Sequence, residues 1–151
     1  MLELKIERIQ TKNQRGENAT LFDPFGDALT LIMDIKASPD LMDLPKPMFM
    51  AVFQIIDPLT DIVVVNQTWL HEFQWGPNFW ISMGNNWGPD PSDYTTPKRW
   101  GLEWWKTGSG VFGFRGIIKA YSSQKEKGMI TVDAFDVSGI RWFRLKEIYA
   151  L

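Results

Sequence analysis

The segment 48–69, MFMAVFQIIDPLTDIVVVNQTW, constrains the fold more than any other and predicts a β-hairpin. Its two arms are rich in β-branched and aromatic residues, which suit a pleated, half-buried surface. Asp57 and Pro58 begin the turn between them, because the Asp side chain can bond the backbone ahead and proline fixes φ. The first arm is apolar on both faces except at Gln54. We therefore expect it at the centre of a sheet, covered on both sides by protein or by a partner.

The remainder of the chain alternates apolar and polar residues over short segments separated by turns that contain proline or glycine. In the segment 28–36, for example, Leu31, Met33 and Ile35 face one way, while Asp34 and Lys36 face the other. Strands at this spacing, without a convincing helix between them, are typical of a β-sandwich or a β-barrel.

We predict a single domain over residues 1–151 that is all-β, an antiparallel β-sandwich of about nine strands. Its shape resembles immunoglobulin or fibronectin type III domains, although the Cys…Trp…Cys pattern of immunoglobulin domains is absent. Three local features accompany this prediction: a slip of the alternation at Ile9, one helical turn over residues 40–44, and a tight turn over residues 136–139.

Composition excludes several classes of protein. The chain has no cysteine, so disulfides, thiolate metal sites and a cysteine nucleophile are ruled out. The formal net charge is -2, with both signs spread along the chain, which does not support a nucleic-acid or anionic-membrane surface. Neither a secretion signal nor an apolar run near the roughly 20 residues of a membrane helix is visible. We therefore expect a cytoplasmic protein.

Tryptophans concentrate between residues 69 and 105, and residues 85–110 show the period of neither a strand nor a helix. A long loop of this kind inside a domain is usually functional or disordered, and the many indole rings argue against disorder. The tripeptide Trp-Gly-Pro occurs twice, at 75–77 and 87–89, where glycine and proline bend and stiffen the backbone after a large ring.

Two interpretations of this Trp-rich loop remain open. Large rings are mostly buried, so the loop can be a satellite core that makes itself rigid. Tryptophan is also enriched in interface hot spots, so the loop can be a recognition surface. Trp69 and Trp80 lie within strand patterns, and we expect both in the core. The predicted binding residues are Trp75, Trp87, Tyr94, Trp100, Glu103, Trp104 and Trp105.

A second candidate surface lies on the last strand. Trp142, Arg144 and Lys146 alternate with apolar residues and share an outward face. Arg115 and Lys119 extend that face if their strand lies in the same sheet. A charged face is usually just solvated; the alternative is a mildly basic contact surface for a protein partner.

Catalytic and metal-binding patterns are weak. His71 is the only histidine, and its neighbour Glu72 points to the opposite face of a strand, so we expect a solvent-facing side chain. Residues 85–93 offer oxygen ligands for calcium, but their spacing matches no EF-hand loop. Glu103 lies among tryptophans that can raise its pKa, as a general acid requires. We predict no catalytic residue, no metal and no cofactor.

These observations favour a non-enzymatic binding or interaction module whose Trp-rich loop docks a protein partner or a second copy of the chain. The alternative is a carbohydrate-binding module, because indole faces stack on sugar rings and Asn85, Asn86, Asp90 and Asp93 can supply hydrogen bonds. The missing secretion signal argues against this alternative. An enzyme with its site beneath the loop, at Glu103 or His71, is a third possibility.

Overall fold

The computed structural model describes residues 2–23, 27–72, 77–84, 105, 110–122 and 132–146. In chain order, the strands are β1 (Leu4–Lys12), β2 (Leu21–Phe22), β3 (Thr30–Ala37), β4 (Pro47–Asp57), β5 (Ile62–Glu72), β6 (Asn78–Gly84), β7 (Val111–Ser122), β8 (Val132–Val137) and β9 (Arg141–Leu145). A single 3-10 turn, Pro39–Asp43, lies between β3 and β4.

The strands form two sheets that enclose one hydrophobic core. Sheet A has the order β1-β3-β6, and sheet B has the order β2-β9-β7-β4-β5, with β8 also paired to β7. The pairs are antiparallel except for β2 with β9. Buried side chains from both sheets belong to one cluster. The predicted antiparallel β-sandwich is confirmed, with nine strands in the described ranges. The closer resemblance to immunoglobulin or fibronectin type III domains stays a prediction.

The predicted hairpin is confirmed as β4 and β5. In its turn, the Asp57 carboxylate accepts a hydrogen bond from the Leu59 backbone N–H at 3.0 Å. The Asp57 carbonyl accepts another from the Asp61 N–H at 2.8 Å. β4 pairs with β5 on one side and with β7 on the other, so it has the predicted central position. On its outer face, however, Met50 and Gln54 are only half-buried, so the described part of the chain leaves this face partly uncovered.

The alternation of side chains fills the space between the sheets. Leu31, Met33 and Ile35 of β3 are buried, as predicted. Opposite them, β7 passes close to sheet A at Gly116, where an added Cβ would lie 2.2 Å from Met33 Sδ. The largest group of fully buried side chains is the phenylalanines, which are Phe22, Phe49, Phe53, Phe112, Phe114 and Phe143.

β1 contains the irregularity that the sequence predicts near Ile9. Its register against β3 shifts between Ile6 and Arg8, which makes Glu7 the extra residue of a β-bulge. The bulge reverses which positions face the core: Ile6 is buried before it, and Thr11 is buried after it. The predicted helical turn is also present, as the 3-10 turn with Leu41 fully buried.

The predicted tight turn over residues 136–139 is wrong, because the chain does not reverse its direction there. β8 and β9 both run antiparallel to β7 along the same edge, so they are two halves of one interrupted strand. At the interruption, the Gly116 N–H donates to Ser138 Oγ at 2.8 Å, and the Ser138 N–H donates to the Gly116 carbonyl at 2.9 Å. The serine hydroxyl therefore replaces a carbonyl of the ladder, and the chain continues in the same direction.

Candidate functional site

Most of the predicted Trp-rich surface lies outside the described residues. This applies to Trp75, Trp87, Tyr94, Trp100, Glu103 and Trp104, so their role stays a prediction. Trp105 is described, and it is only 7% exposed and packed in the hydrophobic cluster. Its expected place on a contact surface is therefore wrong: the ring belongs to the core, as the satellite-core interpretation has it.

The second predicted surface is brought together as a geometric unit. Trp142, Arg144 and Lys146 are exposed on the outer face of sheet B, and the intervening Phe143 and Leu145 are buried. β7 lies beside β9 in the same sheet. The register places Arg115 and Lys119 on the same outer face, where both are half-buried.

The Trp142 ring covers a glycine of the neighbouring strand. An added Cβ at Gly113 would lie 2.9 Å from Trp142 Cζ3 and 2.5 Å from Ile140 Cγ2. The glycine lets the indole lie close to the sheet backbone, and 48% of Trp142 remains exposed. A flat, half-exposed ring in this position is available for contact.

Trp69 and Trp80 are exposed, which contradicts their expected place in the core. Trp80 is 64% exposed and Trp69 is 41% exposed. On β6, Phe79 and Ile81 pair with inward-facing residues of β3, so Trp80 between them points outward. By strand alternation Trp69 lies on the inner face of β5, but β5 is the last strand in the order of sheet B. The alternation on β6 could have revealed Trp80 from sequence, whereas the exposure of Trp69 depends on the assembled sandwich.

His71 is half-buried rather than solvent-facing. Its ring is stacked on Phe49, with centroids 5.8 Å apart, and stands edge-on to Trp69 at 5.8 Å. Phe79 of sheet A extends this aromatic cluster, 5.4 Å from Phe49. The cluster thus joins rings from β4, β5 and β6, and Trp69 is its exposed member.

A hydrogen-bonded network of side chains lies beside Trp80 on the outer face of sheet A. Asp34 is the direct cross-strand partner of Trp80. Asp34 Oδ2 accepts hydrogen bonds from Arg8 Nε at 3.0 Å and from Gln10 Nε2 at 2.8 Å. Both contacts end on one oxygen, so the described residues place no hydrogen bond on Asp34 Oδ1. Donors and acceptors therefore stand together next to an open indole.

Two concave surfaces flank this indole. A groove of about 460 Å³ has Trp80 and Asn78 on one side and Glu7, Arg8 and Asp34 on the other. A second groove of about 550 Å³ lies on the opposite side of the ring, and it extends from Ser82 to Trp69. Trp80 and Asn78 line both grooves. The Trp80 face, which consists of Trp80, Asn78, Ser82, Arg8 and Asp34, thus combines an exposed ring, polar side chains and concave space.

Within the described residues, no group of three or more His, Asp or Glu side chains is placed to hold a metal ion. Burial lowers the pKa of the Arg141 guanidinium, but that side chain is on β9, where it donates to Thr11 Oγ1 at 2.8 Å. It therefore links sheet B to sheet A and is not part of the Trp80 face.

As for membrane spans, the described residues include no helix that is long and apolar enough to cross a bilayer.

Comparison with known proteins gives a limited result. The chain matches no protein family and no curated protein. Among solved structures it is similar to a glycosyl hydrolase family 2 member from Bacteroides cellulosilyticus DSM 14838, at 6% identity and a TM-score of 0.41. A second structure of such a member from Bacteroides cellulosilyticus gives 6% identity and a TM-score of 0.42. The matches cover 90% and 93% of this chain but only 15% and 16% of those chains. A likeness at this level carries no argument about function.

Proposed function

We propose that the protein is a non-enzymatic binding module whose ligand is a carbohydrate, held on the outer face of sheet A at Trp80. The observation that carries this proposal is the 64% exposure of Trp80 between two grooves. A large ring that is 64% exposed on a sheet face leaves most of its apolar surface in water within its own domain. A ligand that covers the ring removes this remaining surface from water, which favours binding.

The groups around Trp80 match the two-sided chemistry of a sugar. A pyranose ring offers a face of C–H groups, which the electron-rich face of an indole attracts, and a rim of hydroxyls that both donate and accept. Asp34 supplies an acceptor, Arg8 supplies donors, and Asn78 and Ser82 supply both. Hydrogen bonds to the charged pair are stronger than neutral ones.

The network is already ordered before a ligand arrives. Arg8 and Gln10 are both held on Asp34 by hydrogen bonds of 3.0 and 2.8 Å. Side chains fixed in this way lose less conformational entropy on binding than free ones, which favours affinity. The grooves on both sides of Trp80 leave room for an oligosaccharide to continue past the stacked ring.

Protein contact through the Trp-rich loop remains the second candidate function. Residues 85–104 lie outside the described ranges, so this candidate rests on the sequence alone. The cytoplasmic location and the lack of catalysis are also part of the proposal, and both rest on the sequence alone.

The experiment is a titration of the protein, in which isothermal calorimetry measures the binding of cellohexaose, xylohexaose, mannohexaose and chitohexaose. We expect at least one of them to bind the parent. Trp80→Ala should weaken that binding at least about tenfold, or ~1.4 kcal/mol, because it removes the stacking surface. Since Trp80 is exposed, the substitution should change stability by less than about 0.5 kcal/mol.

Trp142→Ala is the matched control, because it removes an exposed indole from the opposite face of the sandwich. Its affinity should equal that of the parent. The proposal is wrong if none of the sugars binds the parent, or if Trp80→Ala binds as tightly as the parent does.

A further inference from the structure

The larger of the two grooves follows the edge of sheet A. It is lined by the consecutive residues 78–82 of β6 and by Trp69 of β5. β6 is the last strand in the order of sheet A, and it pairs with β3 through one edge. Successive side chains of a strand point to opposite faces. A groove that all of the residues 78–82 line therefore runs along the edge of β6 rather than over one of its faces.

Two indole rings from different sheets line this groove. Trp80 points outward from sheet A and is 64% exposed, and Trp69 belongs to sheet B and is 41% exposed. The cross-strand partner of Trp69 is Ala51, which is fully buried. A side chain at this position would normally be covered by the opposite sheet, so the exposure of Trp69 shows that the sandwich leaves it open to the groove.

The Trp69 ring is supported by other aromatic rings. The His71 ring stands edge-on to it, with centroids 5.8 Å apart, and is itself stacked on the buried Phe49. A ring that is held in this way loses little conformational entropy when a ligand covers it. Trp69 is therefore suited to stacking against a ligand that already contacts Trp80.

The backbone of β6 adds hydrogen-bonding groups between the two rings. In an antiparallel pair, every second residue of an edge strand turns its N–H and C=O groups away from the partner strand. Since β3 lies along one edge of β6, these groups point to the side of the groove. They include donors and acceptors, and sugar hydroxyls need both.

We infer that Trp69 is a second stacking platform and that the ligand is a linear glycan chain, held along the edge of β6 between Trp80 and Trp69. This inference rests on the proposed binding of carbohydrate at Trp80 and specifies the class of carbohydrate. Residues 78–82 span about 13 Å of extended strand, which is longer than one pyranose ring. A short sugar covers one indole, whereas a longer chain reaches both.

Calorimetry with ligands of two lengths tests this inference. The disaccharides cellobiose, xylobiose, mannobiose and chitobiose are compared with the corresponding hexasaccharides. For a sugar that binds, the parent should hold the hexasaccharide at least about tenfold more tightly than the disaccharide, because only the longer chain covers both rings.

Trp69→Ala should remove this gain. Hexasaccharide binding should weaken at least about tenfold, and disaccharide binding should stay within about twofold of the parent. Trp69→Tyr keeps a flat ring and should retain most of the hexasaccharide affinity, which separates stacking from a folding defect. Leu70→Ala is the matched control, because Leu70 is the next residue of β5 and 54% exposed but does not line the groove. It should bind both ligands as the parent does.

The inference and the proposed function fail in different ways. If none of the sugars binds the parent, both are wrong. The inference alone is overturned if the parent binds disaccharide and hexasaccharide equally, or if Trp69→Ala keeps the hexasaccharide affinity that Trp80→Ala loses. A Trp69→Ala variant that also loses disaccharide binding would overturn it too, because the two rings would then form one short site.

Discussion

At the scale of single residues, strand parity decides which aromatic rings are buried and which are offered to a ligand. Phe79 and Trp80 are neighbours in sequence, yet Phe79 packs in the aromatic cluster and Trp80 is mostly exposed. The alternation of residues 79–83 contains this information, so the Trp80 site was predictable. The burial of Trp105 and the exposure of Trp69 were not, because both depend on how distant strands assemble.

Gly116 is the residue at which the two sheets leave least space. Gly116→Ala would place a Cβ 2.2 Å from Met33 Sδ, and overpacking of this kind costs about 1–3 kcal/mol. We expect urea denaturation to show that loss in the parent background and a smaller one in Met33→Ala, where the obstructing atoms are gone. An equal loss in both backgrounds would show that Met33 is not the obstacle.

Asp27 gives the stability of the chain a specific dependence on pH. The Asp23 backbone N–H donates to its carboxylate, and this lowers the pKa of Asp27 below the ordinary value of 3.8. A group with a lowered folded pKa stabilises the protein above its unfolded pKa and loses that effect as pH falls through the folded pKa.

Asp27→Asn should therefore be less stable than the parent near neutral pH, by well under about 1 kcal/mol because the site is largely solvated. The difference should shrink as the pH falls below 3.8. Thermal unfolding of both proteins across the acid range measures it, and a gap that widens on acidification would contradict the assignment.

At the scale of elements, local turn chemistry was readable and long-range pairing was not. The hairpin of β4 and β5 follows from Asp57 and Pro58 between two apolar arms, and its prediction was correct. Residues 136–139 contain similar turn-forming types, but there the chain continues along β7. The difference lies in the hydrogen bonds that Ser138 makes with Gly116, more than twenty residues away in sequence, which no local pattern shows.

Ser138 should be necessary for the interrupted strand. Ser138→Ala leaves the Gly116 N–H without the hydroxyl that accepts from it at 2.8 Å, at a cost of about 1–2 kcal/mol. Ser138→Thr keeps the hydroxyl and should retain most of the stability. Urea unfolding of the two variants checks this, and equal losses in both would mean that the hydroxyl is not what matters.

At the scale of the whole molecule, the two outer faces have opposite character. Sheet A presents Trp80 among hydrogen-bonded polar side chains, and sheet B presents exposed apolar side chains such as Phe135 and Trp142 beside basic ones such as Arg115 and Arg144.

The most direct measurement is a nitrogen–proton NMR titration that follows the indole N–H signals of the eight tryptophans, with Trp80 assigned from Trp80→Phe. On addition of the oligosaccharide panel, the Trp80 signal should shift most, and Trp69 should respond when the ligand extends along the larger groove. The Trp142 signal should stay in place. A Trp80 signal that does not move with any sugar, or a response confined to Trp142, would contradict carbohydrate binding at the outer face of sheet A.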